Sequence, residues 1–288
     1  MTSSTSNSEM QQRRQALWIV LIALVALVAW TLAHRWLPKA EIAETNFQAN
    51  LIRLQAWMFE ASPSNVIVGS SISGRLLPKI FADTPLASMA NLGLDGSGPE
   101  FGLRLMLARS NPPPQIFVEV HRLGKPWNAN DDMLLIALLE PEFAIAGSIS
   151  GLRANTRPTT LVYNWFKGRH EPVQKPTALA SLFTSIASAN ATNRVWRPHF
   201  AEQVAELHRR GSEVILLRLP VGRENPANPD TPDTADELAA KLGLRMIDLN
   251  REAVRRGLEI SYTDGLHLST SSALAVSHLL AELVSATL

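Results

Sequence analysis

The sequence predicts a three-layer α/β/α domain built on a parallel sheet, preceded by one transmembrane helix. Two observations carry that expectation. Short β-branched runs break into glycine-rich or polar loops and alternate with helix-like segments, the pattern of a parallel sheet covered on both faces. One long uncharged apolar stretch stands near the N-terminus. With 288 residues, 46% of them hydrophobic and 18% charged, the chain has ample material for a buried core.

Residues 1–14 are polar and end in Arg13 and Arg14, and Gln15 to Ala33 then runs without a charge. About 20 apolar residues cross a hydrocarbon core, whereas the apolar part of a cleaved signal is usually about 7–15, so 15–36 reads as an anchor. Trp18, Trp30 and Trp36 sit near its ends, where indoles favour the headgroup zone. The Arg pair argues for a cytoplasmic tail over 1–14 and a domain in the periplasm, tethered to a bacterial inner membrane; His34, Arg35 and Lys39 on the far side reduce the asymmetry. Ala29 and Ala33 leave signal cleavage open as an alternative.

Apolar residues at Ile42, Phe47, Leu51, Leu54, Trp57 and Met58 predict an amphipathic linker helix within 37–63, closed by Pro63. The α/β domain is expected over 64–288. Its strands are Val66 to Val68, Leu86 to Leu94, Gln115 to Val120, Glu213 to Leu219 and Leu244 to Leu249. Helices are expected over Phe101 to Ser110, over Pro198 to Arg210 and over Ser269 to Leu283. Residues 124–197 break the alternation and read as an insertion, with helix-like Asp132 to Leu139 and Ala178 to Ala189. It carries Trp127, Trp165 and Trp196 among basic residues, which suits a sugar-binding surface or, equally, the insertion's own small core.

Lys+Arg 27 against Asp+Glu 26 leaves a net charge of +1, without the basic excess of a protein that binds nucleic acid. Zero cysteines exclude disulfides, thiolate nucleophiles and Cys-built metal sites.

Two patterns can carry chemistry. Gly69-Ser70-Ser71 follows the first strand, where a serine on a tight turn is presented at the sheet's carboxyl edge. Asp264-Gly265-Leu266-His267 precedes the last helix. An Asp three residues before a His on a turn can orient the imidazole and leave Nε2 outward as a base. Each has an ordinary alternative: loop glycine and serine, an Asx turn at Asp264, a satisfied structural histidine at His267.

Together these pieces resemble the SGNH (GDSL-type) hydrolase family from about Asn65 to the C-terminus, the insertion apart. The resemblance implies a flavodoxin-like α/β/α fold, with Ser71 as nucleophile, Ser70 standing where the family has Asp, and Asp264 and His267 completing a triad. Asn91-Leu92-Gly93-Leu94-Asp95-Gly96 resembles the second block and points to Gly96, with the backbone N–H of Ser71, as oxyanion donors. The third block's Gly-x-Asn-Asp has no counterpart in Val118-Glu119-Val120-His121-Arg122-Leu123-Gly124, which leaves His121, Arg122, Asn128 or Asn130 as substitute donors. The family implies an esterase or O-acyltransferase, acetyl foremost, acting on an exopolysaccharide such as cellulose or a related glycan, without metal or cofactor. A non-catalytic subunit of a polysaccharide-synthesis complex is the alternative, and a lipid-directed esterase a third.

Overall fold

Alternation along the first strand sets the layers. In β1, Asn65–Ser70, Val66 and Val68 point to one face of the sheet and Ile67 to the other, and all three are fully buried. The protein is described by a computed structural model covering residues 5–36, 45–60, 63–76, 78–84, 86–123, 125, 127–167, 196–222 and 232–286. In chain order, the N-terminal helix α1 spans Thr5–Ala33 and α2 spans Asn46–Phe59. Then come β1, β2 (Met89–Leu94), α3 (Pro99–Ala108) and β3 (Gln115–Glu119). The insertion supplies α4 (Ala129–Leu139), α5 (Pro141–Ser148) and α6 (Pro158–Lys167). The chain resumes with α7 (Trp196–Arg209), β4 (Glu213–Arg218), α8 (Pro232–Leu242), β5 (Arg245–Asp248), α9 (Leu249–Arg255) and α10 (Thr270–Ser285).

The five strands form one fully parallel sheet in the order β2-β1-β3-β4-β5. This is the flavodoxin-like doubly wound order, whose switch point lies between β1 and β3. One face carries Val66, Val68, Leu92, Ile116, Val118, Val214 and Leu216 beneath α2, α3, α7 and α8. The other carries Ile67, Phe117, Ile215, Leu217 and Ile247 beneath α9 and α10. The expected three-layer architecture is therefore what the chain adopts.

Several boundaries differ for local reasons. The second strand starts at Met89 because Thr84 closes a turn onto Leu86, its hydroxyl accepting from the Leu86 N–H at 3.1 Å. The fifth stops at Asp248, whose side chain accepts from the Arg251 N–H at 2.8 Å and caps α9. Helix α4 starts at Ala129, ahead of the expected Asp132, because Asn128 and Asp131 form a capping box. The helix expected over Ala178 to Ala189 lies outside the described residues. Within 37–63, α2 is more than a linker. Thr45 caps it, accepting from the Gln48 N–H, and its Leu51, Leu54 and Trp57 are buried in the main core. The stretch Glu9–Trp36, most of α1 with the 3₁₀ turn that follows it, is long and apolar enough to cross a membrane.

Candidate active site

Ser71 stands on the turn immediately after β1, at the switch point, so its hydroxyl is offered at the carboxyl edge of the sheet. Beneath it, Glu119 ends β3 with 0% of its surface exposed. Its carboxylate accepts from the Ser70 N–H at 2.8 Å, the Ser73 N–H at 3.1 Å and the Ser70 hydroxyl at 2.8 and 3.1 Å. Ser70 Oγ in turn accepts from the Ile72 N–H at 3.2 Å. A carboxylate buried this deeply is tolerable only when its lone pairs are filled by donors, and the turn's own N–H groups fill them. Gly69 is required for this approach, because a Cβ there would collide with the Glu119 carboxylate and the Ser73 hydroxyl.

The opposite wall comes from the loop before α10. An isolated antiparallel bridge between Tyr262 and Leu268, with the Thr263 N–H donating to the His267 carbonyl at 2.9 Å, folds the loop back on itself. Gly265, at φ +82°, makes the turn between Asp264 and His267. Asp264 Oδ1 accepts from the N–H groups of Leu266 and His267 at 3.0 and 2.8 Å, and Oδ2 lies 2.6 Å from His267 Nδ1. Burial pushes the Asp264 carboxyl up, but hydrogen bonds from the His267 N–H, its imidazole and the Leu266 N–H outweigh it and hold the group at about 2. His267 Nε2 lies 2.7 Å from Ser71 Oγ. With Nδ1–H donating to Asp264, Nε2 is left to accept the Ser71 proton.

The third wall is the loop after β2. Gly96 takes φ +81°, a conformation in which a side chain is strained. The preceding Asp95 is clamped to α2 in both directions: Asn50 Nδ2 donates to its carbonyl at 2.8 Å and its N–H donates to Asn50 Oδ1 at 2.9 Å. The Gly96 carbonyl accepts from Lys125 Nζ and, at 3.4 Å, from Asn128 Nδ2. Ser97 Oγ donates to Asp131 Oδ1 at 2.6 Å, and Asn128 donates to Asp131 Oδ2 through N–H at 3.0 Å and Nδ2 at 2.7 Å. Burial pushes the Asp131 carboxyl up against these bonds and pushes the Lys125 ammonium down. The start of the insertion thus braces the Gly96 loop.

The residues expected near the sheet edge are distributed as follows. Ser71, His267 and Asp264 form one continuous hydrogen-bonded chain. Of the substitute oxyanion donors, Asn128 uses its amide to hold Asp131 and Gly96, and His121 is half-buried with Nε2 2.7 Å from the Leu219 carbonyl, its imidazole held below its ordinary pKa chiefly by desolvation. His121 therefore ties the ends of β3 and β4 together. Trp127 packs on Phe101 at 5.8 Å and under Arg104, and its Nε1 donates to Asp132 at 2.7 Å. Trp165 lies on α6 edge-on to Phe166, and Trp196 begins α7, its side chain outside the described set. Sequence reasoning missed Glu119 and Asn50. The signal for Glu119 was a carboxylate closing an otherwise apolar central strand; for Asn50 there was none short of the tertiary contact. Among the described residues no group of three or more His, Cys, Asp or Glu side chains could hold a metal ion.

No family model matches the sequence, and no curated protein matches it. Among solved structures, a catalytic mutant of an acetylxylan esterase from Geobacillus stearothermophilus is similar over 79% of this chain and 95% of its own, at 12% sequence identity and a TM-score of 0.36.

Proposed function

We propose that the protein is a serine esterase or O-acyltransferase of the SGNH type, tethered to a bacterial inner membrane by α1 and acting in the periplasm on acyl groups, acetyl foremost, of a secreted polysaccharide. The observation that carries the chemistry is the relay of 2.7 Å from Ser71 Oγ to His267 Nε2 and 2.6 Å from His267 Nδ1 to Asp264. Ser71 Oγ attacks the ester carbonyl as its proton passes to His267 Nε2, and Asp264 stabilises the imidazolium. The tetrahedral oxyanion is received by the backbone N–H groups of Ser71 and Gly96, fixed in place by Glu119 below and Asn50 behind. His267 then protonates the leaving sugar alkoxide, which departs as an alcohol. Water resolves the acyl-enzyme in an esterase, a second sugar hydroxyl in a transferase. The glycan substrate and the periplasmic location follow from the apolar N-terminal helix and from the family that the three sequence blocks resemble.

One observation favours the second reading, a non-catalytic subunit of a polysaccharide-synthesis complex. Two of the four side chains that could replace the missing third-block Asn, His121 and Asn128, are spent on Leu219, Asp131 and Gly96. Loss of one oxyanion donor costs about 10²–10³ in rate, which slows an acyl-transfer site without abolishing it. Acetate release from a chromogenic acetyl ester and from acetylated glucan and xylan oligosaccharides, with Ser71→Ala as control, separates the two. Ser71-dependent release supports the enzyme; equal release by both proteins, or none, supports the assembly subunit.

A further inference from the structure

The exposed apolar side chains of the domain are gathered in one region. Beyond Trp36, every exposed large hydrophobic among the described residues except Val254 and Leu274 lies between Met133 and Phe166. Helix α5 is the centre of it. Its sequence, PEFAIAGS, is apolar apart from Glu142 in its first turn and Ser148 at its end, yet within it only Gly147 is buried, against the Phe59 ring; Phe143 and Ile145 are 54% and 64% exposed. A contiguous set of exposed apolar side chains marks a surface that meets another apolar phase. Its one hydroxyl needs no water, since Ser148 Oγ donates to the Ile145 carbonyl at 2.7 Å.

What lies beside α5 says which medium. The 3₁₀ turn Ser150–Leu152 follows it directly and is docked on α1: Trp30 Nε1 donates to the Gly151 carbonyl at 2.9 Å, and Gly151 has no Cβ to hold Thr31 away. Trp30 precedes Ala33, the last residue of the uncharged stretch, by three residues, or about 4.5 Å of helix. Interfacial helices bury their apolar surface about 5–10 Å into the headgroup and acyl boundary. The turn carrying α5 is therefore attached to the spanning helix at interfacial depth.

We propose that α5, with the adjoining Ile136 and Leu139 edge of α4, lies in the interface of the same bilayer that α1 crosses, so that the domain rests on the lipid surface. This rests on the reading of α1 as a membrane span. Phe59, at the C-terminal end of α2, meets α5, whereas Asn50, nine residues earlier and about 14 Å along the axis, holds the Gly96 loop, so the two contacts are well separated on α2.

The absence of cysteine makes the test direct. Phe143→Cys, Ile145→Cys, Leu21→Cys and Val254→Cys, each in the full chain, are spin-labelled and reconstituted into vesicles of phosphatidylethanolamine and phosphatidylglycerol. Collision with oxygen, which partitions into lipid, is compared with collision with a water-soluble nickel chelate. The expected result is an oxygen-to-nickel ratio several-fold higher at 143 and 145 than at 254, approaching that at 21. A ratio at 143 and 145 equal to that at 254, with 21 lipid-like, overturns the surface contact and leaves the anchor standing. Exclusion of both probes at 143 and 145 overturns it in favour of a protein cover, a second copy or residues 168–195 of this chain. An aqueous ratio at 21 overturns the span itself, and the contact with it.

Discussion

The carboxylate of Glu119 receives both the N–H and the hydroxyl of Ser70, the residue just before the nucleophile. Ser70 stands where the SGNH pattern that the sequence resembles has Asp, and its partner is a glutamate from the neighbouring strand. The pairing spans the switch point between β1 and β3 and sets the path of the turn from Ser70 to Ser73.

Glu119→Ala strands the Ser70 and Ser73 N–H groups without an acceptor in a fully buried place, at about 1–3 kcal/mol for each unsatisfied group. A clear fall in thermal midpoint is expected, together with slower acylation of Ser71. Glu119→Gln, which keeps the shape and one acceptor oxygen, is expected to retain more of both. Thermal unfolding alongside the rate of fluorophosphonate modification checks the pair.

Asp264→Asn keeps the size of the side chain but favours the wrong imidazole tautomer. By comparison with the same change in a serine protease triad, a fall of about 10⁴ in kcat is expected, with the fold intact. Steady-state kinetics on an acetyl ester measures it.

The depressed Asp264 carboxyl also has a pH signature. Its folded value of about 2 lies below the ordinary 3.8, so its contribution to stability is full above the ordinary value and is lost as pH falls through about 2. The side chain is 52% exposed, and solvent screening keeps the effect modest. Between about pH 5 and pH 2 the thermal midpoint of the wild type is expected to fall more steeply than that of Asp264→Asn, and the gap between them to close at the acid end.

Asn50→Leu removes the two-way clamp on Asp95 from a position that is 2% exposed. If releasing the Gly96 loop raises the barrier by about 1.4 kcal/mol, acylation slows about tenfold. The effect is expected in kcat more than in KM, because the loop is proposed to serve the transition-state charge. Kinetics on a small acetyl ester reads the split.

Much of this was legible in sequence because it is local. β-branched runs such as Val66-Ile67-Val68 announce buried parallel strands, and Asp264 and His267 are close enough in the chain for one turn to join them. What was hidden depends on tertiary contact. Glu119 and Ser70 are 49 residues apart, Asn50 and Asp95 are 45 apart, and nothing in either segment encodes the other. Helix α2 looked like a linker because its apolar stripe does not say which surface it covers; that surface proved to be the sheet. Helix α5 escaped notice for a different reason: its eight residues carry one charge, Glu142, and apolar residues on every other side, so helical periodicity leaves little mark on it.

The central claim is that Ser71 is an activated nucleophile. Full-length protein treated with a fluorophosphonate probe, then digested and mapped by mass spectrometry, tests it most directly. The account predicts modification confined to Ser71, abolished in Ser71→Ala and strongly slowed in His267→Ala. A folded wild-type protein that takes up no probe, or takes it up at another serine, contradicts it.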